Sequence, residues 1–213
     1  MFDLEKFAQD NSLFIANKEE AASLQLAIME GKETGFTCDG AIGGMIPAPL
    51  QDLGTNLPFE NGIFVSCKKA APCRKLSAFL VPKAVCVGIS AERDFSVDLL
   101  EDSVGILLSK LDYWKQSIGS VAVDEGLAGN QALADYCRDR DLELKAFPKA
   151  QWEKASVPMS EADILVGKEP PQLSQCEKLA LCGAPCGELL TGKVDFETVS
   201  IAFSRENYSV LFS

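Results

Sequence analysis

Apolar residues recur along this chain with two different periods, and the change between them predicts strands that alternate with helices. Residues 85–89 form a continuous apolar run, which is typical of a strand buried on both faces. Residues 95–111 instead place their apolar side chains at helical spacing, with acidic residues in the first half. Residues 118–123 and 142–147 have the pattern of further strands, and residues 127–138 that of the helix between them.

The rest of the second part of the chain continues this alternation. Pro148 is placed to begin a short helix, residues 173–181 predict another helix, and residues 198–203 predict a last strand. Such an alternation is typical of a mainly parallel sheet with helices on both faces. We therefore predict an α/β fold with a three-layer α/β/α C-terminal domain over residues 81–213.

The first 80 residues predict a smaller α/β segment. Its expected elements are a helix at 4–9, a strand at 13–16, a helix at 18–30, and strands at 36–38 and 62–67. Residues 39–61 are rich in Gly and Pro, which indicates a long irregular connection. Residues 68–80 are expected to link this segment, residues 1–80, to the C-terminal domain.

Charge and hydropathy narrow the classes of partner. The net charge is −11, which argues against nucleic-acid binding because that needs a basic surface. There is no apolar run of about 18 residues, so no membrane-spanning helix is predicted. The N-terminus lacks the layout of a signal peptide, and we expect a cytoplasmic protein. Residues 66–83 carry several cations and no acid, a pattern that favours a solvated linker.

The chain has eight cysteines and no histidine. No Cys-x-x-Cys pair occurs, and no histidine could complete a mixed zinc site, so we predict reduced thiols and no bound metal. The absence of histidine excludes Ser-His-Asp and Cys-His catalysis within this chain. Acid–base chemistry would have to use carboxylates, Lys, Tyr, Cys or bound water.

Candidate ligand contacts follow the predicted strands, since α/β sheets bind ligands beyond the carboxyl ends of their strands. Gly88 would let the backbone approach a ligand, and Arg93 could hold a carboxylate with two hydrogen bonds. Asp124 and Glu125 follow the second strand, where a carboxylate could activate water. The structural alternatives are a plain strand–helix turn and, for Asp124, a helix cap, which we favour.

A second set of candidates lies near the helix predicted at residues 173–181. Glu177 could act as a base, but Ser174 and Glu177 also have the spacing of a capping box. The turn that contains Lys168 precedes this helix, and its backbone could face the same cleft.

These pieces, in this order and at these spacings, resemble the C-terminal domain of the CbiG cobalamin-biosynthesis proteins, which is shared with CobE. The resemblance rests on Gly88, on Asp124 and Glu125 at a strand end, on Glu177 in a helix that begins near Ser174, and on Lys193 before the last strand. Residues 1–80 resemble the middle segment of the same family. One turn departs from the family pattern: Gly-Cys-Arg-Arg-Gly is replaced by Ser-Ala-Glu-Arg-Asp at residues 90–94.

The resemblance implies a cobalt-precorrin-5A hydrolase of anaerobic cobalamin biosynthesis, which opens a lactone on the corrinoid ring and releases acetaldehyde. The implied catalytic residues are Glu125, Glu177 and Arg93. The implied substrate-binding residues are Gly88, Ser90, Arg93, Asp124, Lys168 and Lys193. No cofactor is implied, because the cobalt belongs to the corrinoid substrate. The implied partners are the cobalt-precorrin intermediate, other corrin-pathway enzymes and a separate N-terminal domain.

Full-length family members carry an N-terminal domain with a Gly- and His-rich stretch, and the sequence contains nothing similar. We therefore expect either a fragment or a natural short form, whose activity could depend on that domain. The alternative to a hydrolase is a binding module that holds a corrinoid intermediate without chemistry. A third hypothesis is an α/β enzyme unrelated to corrinoids.

Overall fold

A computed structural model describes residues 2–52, 59–70, 73, 75–92, 95–158 and 165–212. In chain order the strands are β1 (Leu13–Ile15), β2 (Thr34–Cys38), β3 (Ala41–Gly43), β4 (Leu50–Asp52), β5 (Asn61–Val65), β6 (Leu76–Pro82), β7 (Val85–Ala91), β8 (Ile118–Asp124), β9 (Glu143–Phe147), β10 (Glu188–Leu189), β11 (Val194–Phe196), β12 (Val199–Arg205) and β13 (Ser209–Leu211). The helices are α1 (Leu4–Asp10), α2 (Lys18–Met29), α3 (Val97–Leu111), α4 (Glu125–Ala128), α5 (Gln131–Asp139), α6 (Lys149–Trp152) and α7 (Gln175–Gly183). The predicted α/β class is confirmed.

The chain divides into two compact units. Unit 1 contains the residues up to Lys83, those from Leu111 to Ser117 and those from Tyr208 onward, and unit 2 contains the rest. Neither the return at residues 111–117 nor the one after Asn207 was predicted from the sequence.

Unit 1 is built on a five-stranded sheet in the order β1-β6-β5-β2-β4, with β1 antiparallel to β6 and the other pairs parallel. Strands β3 and β13 form a separate parallel pair. The core contains Leu24 and Ile28 of α2 together with the ring of Phe36. The ring of Phe212 packs against Phe36 and Phe7, with centroids 5.0 and 4.7 Å away.

The linker expected at residues 68–80 is wrong, because this range contains most of β6. This strand pairs with β5 on one side and with β1 on the other, so it is an inner strand of the unit 1 sheet. The alternation of buried Ala78 and Leu80 with half-buried Phe79 supports a strand. The basic residues at both ends obscured this short pattern. The connection at residues 39–61 also contains two short strands, β3 and β4.

Unit 2 contains a sheet in the order β10-β12-β7-β8-β9, with β11 also paired to β12. Strands β7, β8 and β9 are parallel, as expected, but β12 runs antiparallel to β7. The sheet is therefore mixed. Strands β10 and β11 together form the outer arm of a hairpin, and β12 is the returning arm that reaches β7.

Both faces of β7 are covered. Gly88 faces α7, whereas its neighbours Val87 and Ile89 point to the other face and are almost completely buried there. Helices α3 and α5 lie in the two connections between parallel strands, and the right-handed crossover rule places both on the same face of the sheet. The burial of Val87 and Ile89 on the side away from α7 indicates that α3 and α5 cover that side. This arrangement gives the predicted three layers. The helix predicted at residues 127–138 is two helices, since Asn130 caps α5 by accepting from the Leu133 N–H.

No helix within the described ranges is long and apolar enough to cross a membrane. All eight cysteines are free thiols. Cys86, Cys137 and Cys176 are buried, and burial raises the pKa of the Cys86 thiol to about 11. These thiols therefore pack as small apolar groups.

Candidate functional site

Polar side chains of three neighbouring strands of unit 2 form a row on the face that α7 covers, where β7 and β8 end and β12 begins. Ser90 of β7 lies directly opposite Ser200 of β12. Gly88 is level with Ala122 of β8, so Ser90 and Asp124, two residues further on, lie at the same end of neighbouring parallel strands. This edge is where α/β sheets bind ligands. The row Ser200, Ser90 and Asp124 is therefore the centre of the candidate site.

Helix α7 begins directly above this row. The Ser90 hydroxyl donates to Oε1 of Gln175, the first residue of α7, over 3.1 Å. The next residue, Cys176, is completely buried and packs with Ala202 of β12. The start of the helix is thus fixed to the end of β7 and to the middle of β12. Gln175 was not among the predicted site residues, and only the packing of α7 identifies it.

Glu177 is the capping residue of α7. Its Oε2 accepts from the Ser174 backbone N–H at 2.7 Å and from the Ser174 hydroxyl at 2.5 Å. The capping box that the sequence offered as the alternative is therefore formed. Because the Glu177 carboxylate already lies at the positive end of the helix, an anionic ligand here would have to be held by neighbouring side chains and not by the helix dipole.

We expect Ser174→Ala to lower the free energy of unfolding of unit 2 by about 1 kcal/mol, since the helix loses its N-cap hydroxyl. Urea unfolding followed by circular dichroism would measure this. The matched control is Ser23→Ala, which removes an exposed hydroxyl within α2 that donates to the Glu19 carbonyl. Equal unfolding midpoints for the two variants would contradict the capping role.

A cation lies beside the polar row. The ammonium of Lys193 is 2.9 Å from Oδ1 of Asp195, and the Ser200 hydroxyl donates to the same oxygen. The bonds from Ser200 and Lys193 lower the pKa of Asp195, and the bond to Asp195 raises the pKa of Lys193. Both groups therefore stay charged, and the half-exposed Lys193 is held next to β12. The backbone at Gly192 also borders the Glu177 carboxylate.

Gly88 has a different use from the one expected. A Cβ at this position would lie 2.1 Å from the Cys176 carbonyl oxygen and 2.4 Å from the Ala180 nitrogen. The space that glycine leaves open is thus filled by the backbone of α7, and no ligand can approach there from that face. Gly88 shapes the site indirectly, because it lets α7 lie close to β7.

Both oxygens of the Asp124 carboxylate are engaged. Oδ1 accepts from the Gly126 N–H at 2.8 Å, which caps α4, and Oδ2 accepts from the Trp152 indole at 3.0 Å. The favoured capping interpretation of Asp124 is therefore confirmed. Glu125 is exposed as the first residue of α4. Trp152 was not predicted, although a tryptophan shortly after a strand needs a hydrogen-bond acceptor for its indole.

The two remaining predicted residues are Arg93 and Lys168. Arg93 falls outside the described residues. Lys168 is exposed in the segment that precedes α7. Within the described part of the chain, no group of three or more Cys, Asp or Glu side chains could hold a metal ion.

No family model matches this chain, and no curated protein matches it. The solved structures that are partly similar to this chain include three proteins. A protein of Sulfolobus solfataricus, described as a homologue of cobalamin biosynthesis protein G, is 13% identical with a TM-score of 0.44, and the match covers 96% of this chain. The chain spans only 60% of the length of that protein.

The other two structures match the chain over a shorter stretch. CobE, a protein from the cobalamin (vitamin B12) biosynthetic pathway, is 19% identical over 57% of this chain and 89% of its own, with a TM-score of 0.46. The cobalamin biosynthesis protein chiG of Agrobacterium tumefaciens is 16% identical over 57% of this chain and 98% of its own, with a TM-score of 0.45.

Proposed function

We propose that this chain acts in cobalamin biosynthesis and holds a corrinoid intermediate at the carboxyl end of β7. The observation that carries the proposal is the coincidence of two features at one place. The sequence motifs that resemble CbiG at Glu177 and Lys193 meet beside the row formed by Ser90 and Ser200. A chance resemblance would have no reason to gather its residues at the sheet edge where ligands bind.

The chemistry of the cluster suits a polycarboxylated ring. Corrinoid intermediates carry many carboxylates, which accept hydrogen bonds from hydroxyl, amide and ammonium groups. Gln175 supplies the N–H groups of its amide, and Lys193 supplies the cation. The Ser90 and Ser200 hydroxyls, which donate to Gln175 and to Asp195, hold these two groups in place. With a net charge of −11, the chain needs such local donors to attract an anion.

The contacts favour binding over hydrolysis. Lactone opening needs a base for the attacking water and donors for the oxyanion. Asp124 is bonded at both carboxylate oxygens, and Glu177 caps α7 through Oε2. Hydrolysis of cobalt-precorrin-5A is the second candidate. It is favoured by the exposed carboxylate of Glu125 at the end of β8 and by the resemblance, which also adds Arg93 as an electrophilic group.

Calorimetric titration tests the binding proposal. We expect cobyrinic acid, a corrinoid with free carboxylates, to bind, and cobalamin, whose side chains are amidated, to bind much more weakly. Lys193→Ala should weaken cobyrinic acid binding about tenfold, since one charge-assisted hydrogen bond is lost. Lys110→Ala, at the far end of α3, is the matched control and should bind as the wild type does.

The outcomes separate the hypotheses. Equal binding by Lys193→Ala and the wild type would remove Lys193 from the site, and no binding by the wild type would overturn the proposal. Arg93→Ala should also weaken binding if the resemblance holds at that turn. Release of acetaldehyde from cobalt-precorrin-5A would establish the hydrolase instead. Its loss in Glu125→Gln, with binding retained, would identify the base.

A further inference from the structure

A groove of about 590 Å³ runs along the free edge of the unit 1 sheet. Strand β1 forms its floor, and helices α1 and α2 form its walls. The α1 wall is acidic at Asp3 and Glu5, whereas the α2 wall carries Lys18. All three charged side chains are exposed. The groove belongs to unit 1, whereas the candidate corrinoid site belongs to unit 2.

The backbone of β1 has an open hydrogen-bonding edge. Ala16 donates to the Phe79 carbonyl of β6, and Leu13 lies opposite Pro82, which has no N–H. Hydrogen bonds of an antiparallel ladder alternate, so Phe14 points its N–H and C=O at β6. Leu13 and Ile15 therefore point theirs outward, and neither makes a hydrogen bond outside the β1–β6 pair to another residue that the structure describes.

The side chains of this edge are apolar and only partly covered. Phe14 is 40% exposed on the sheet face away from the helices. Leu13 and Ile15 are partly buried against the unit 1 core on the helix side. Natural edge strands are commonly kept short, or carry a lysine, a proline or an inward charge that discourages pairing with another strand. Strand β1 is short, with three residues, but it carries no lysine, proline or charge.

We propose that β1 is a self-association edge, on which β1 of a second copy of this chain docks antiparallel about a two-fold axis through Phe14. The N–H and C=O of Leu13 pair with those of Ile15 in the other copy, and the reverse pair forms by symmetry. The two Phe14 rings meet on one face. On the other face, Leu13 and Ile15 of each copy fill the groove of its partner.

The charges of the groove fit this occupant. Helix α1 precedes β1 and helix α2 follows it, so antiparallel pairing sets the α1 wall of one copy against the α2 wall of the other. Glu5 on the acidic wall then meets Lys18 of the second copy, and the contact forms twice in the dimer. A parallel arrangement would instead bring walls of like charge together. Three paired residues form a small interface, so the dimer should be weak.

Hydrogen exchange gives the most direct test. As the protein concentration rises, exchange of the Leu13 and Ile15 amides should slow, while the Phe14 and Ala16 amides are protected at every concentration. Sedimentation velocity over the same series should show a monomer–dimer equilibrium. A monomer at every concentration, or Leu13 and Ile15 amides that exchange at a constant rate, would overturn the proposal.

Variants locate the interface. Phe14→Glu should abolish the dimer while unit 1 stays folded, as judged by circular dichroism. Met45→Glu, at a side chain that is 87% exposed elsewhere in unit 1, should leave the dimer unchanged. Lys18→Glu and Glu5→Lys should each weaken homodimers, and an equimolar mixture of the two should form a heterodimer with both ion pairs restored. A dimer that survives Phe14→Glu, or variants that fail to recover on mixing, would contradict the arrangement.

Discussion

Gly88→Ala should destabilise unit 2 by about 3 kcal/mol or more, at the upper end of the cost of overpacking. The added Cβ would lie 2.1 Å from a backbone oxygen of α7 and 2.4 Å from a backbone nitrogen. A flexible side chain could move aside, but a helix backbone that is fixed at Ser90 and on β12 can relieve the contact only by shifting as a whole. Urea unfolding would measure the loss.

Gly105→Ala is the matched control for this prediction. Gly105 lies on the exposed side of α3, and no atom lies within 4 Å of a Cβ placed there. Alanine is the better helix former, so this variant should gain about 0.5–1 kcal/mol. Unfolding of both glycine variants at the same urea concentration would contradict the close approach of α7 to β7.

Phe36→Ala should cost unit 1 about 3–5 kcal/mol, the usual range for removing a buried aromatic ring. Phe36 is completely buried in β2, and its ring lies 5.9 Å from Phe7 and 5.0 Å from Phe212. Its loss opens a cavity between the sheet, α1 and the residues before the C-terminus. Thermal and urea unfolding of the variant would measure the effect.

Phe14→Ala, studied at concentrations where the protein is monomeric, is the control for the second prediction. It removes the same ring from a position that is 40% exposed, so the loss should be clearly smaller. Similar losses for the two variants would show that Phe36 does not lie at the centre of the core.

The sequence predicts the inner parallel strands of unit 2 well, because burial on both faces leaves a plain signal. Residues 85–89 are apolar without interruption, and they form most of β7. The direction of β12 is not predictable in the same way. The outer arm of its hairpin is interrupted at residues 190–193, so the sequence there lacks the alternating pattern of a strand. Without a recognisable hairpin, the pattern of β12 does not distinguish an antiparallel strand from a parallel one.

The candidate site was predictable at single positions but not as a set. Ser174 and Glu177 have the spacing of a capping box, and the box is formed. The partnership of Ser90 with Ser200 and Gln175 depends on the register of β12 and on where α7 docks. Both are set by contacts between residues that are far apart in the sequence, which no local pattern contains.

The discontinuity of unit 1 has a consequence for the order in which the protein folds on the ribosome. Phe212 packs against Phe7 and Phe36, and β13 pairs with β3, although residues 84–207 are synthesised in between. The N-terminal residues are therefore made first but cannot complete their core until unit 2 has been translated. Unit 1 is therefore finished after unit 2, although most of its residues are made before unit 2, and its apolar residues stay exposed on the nascent chain in the meantime.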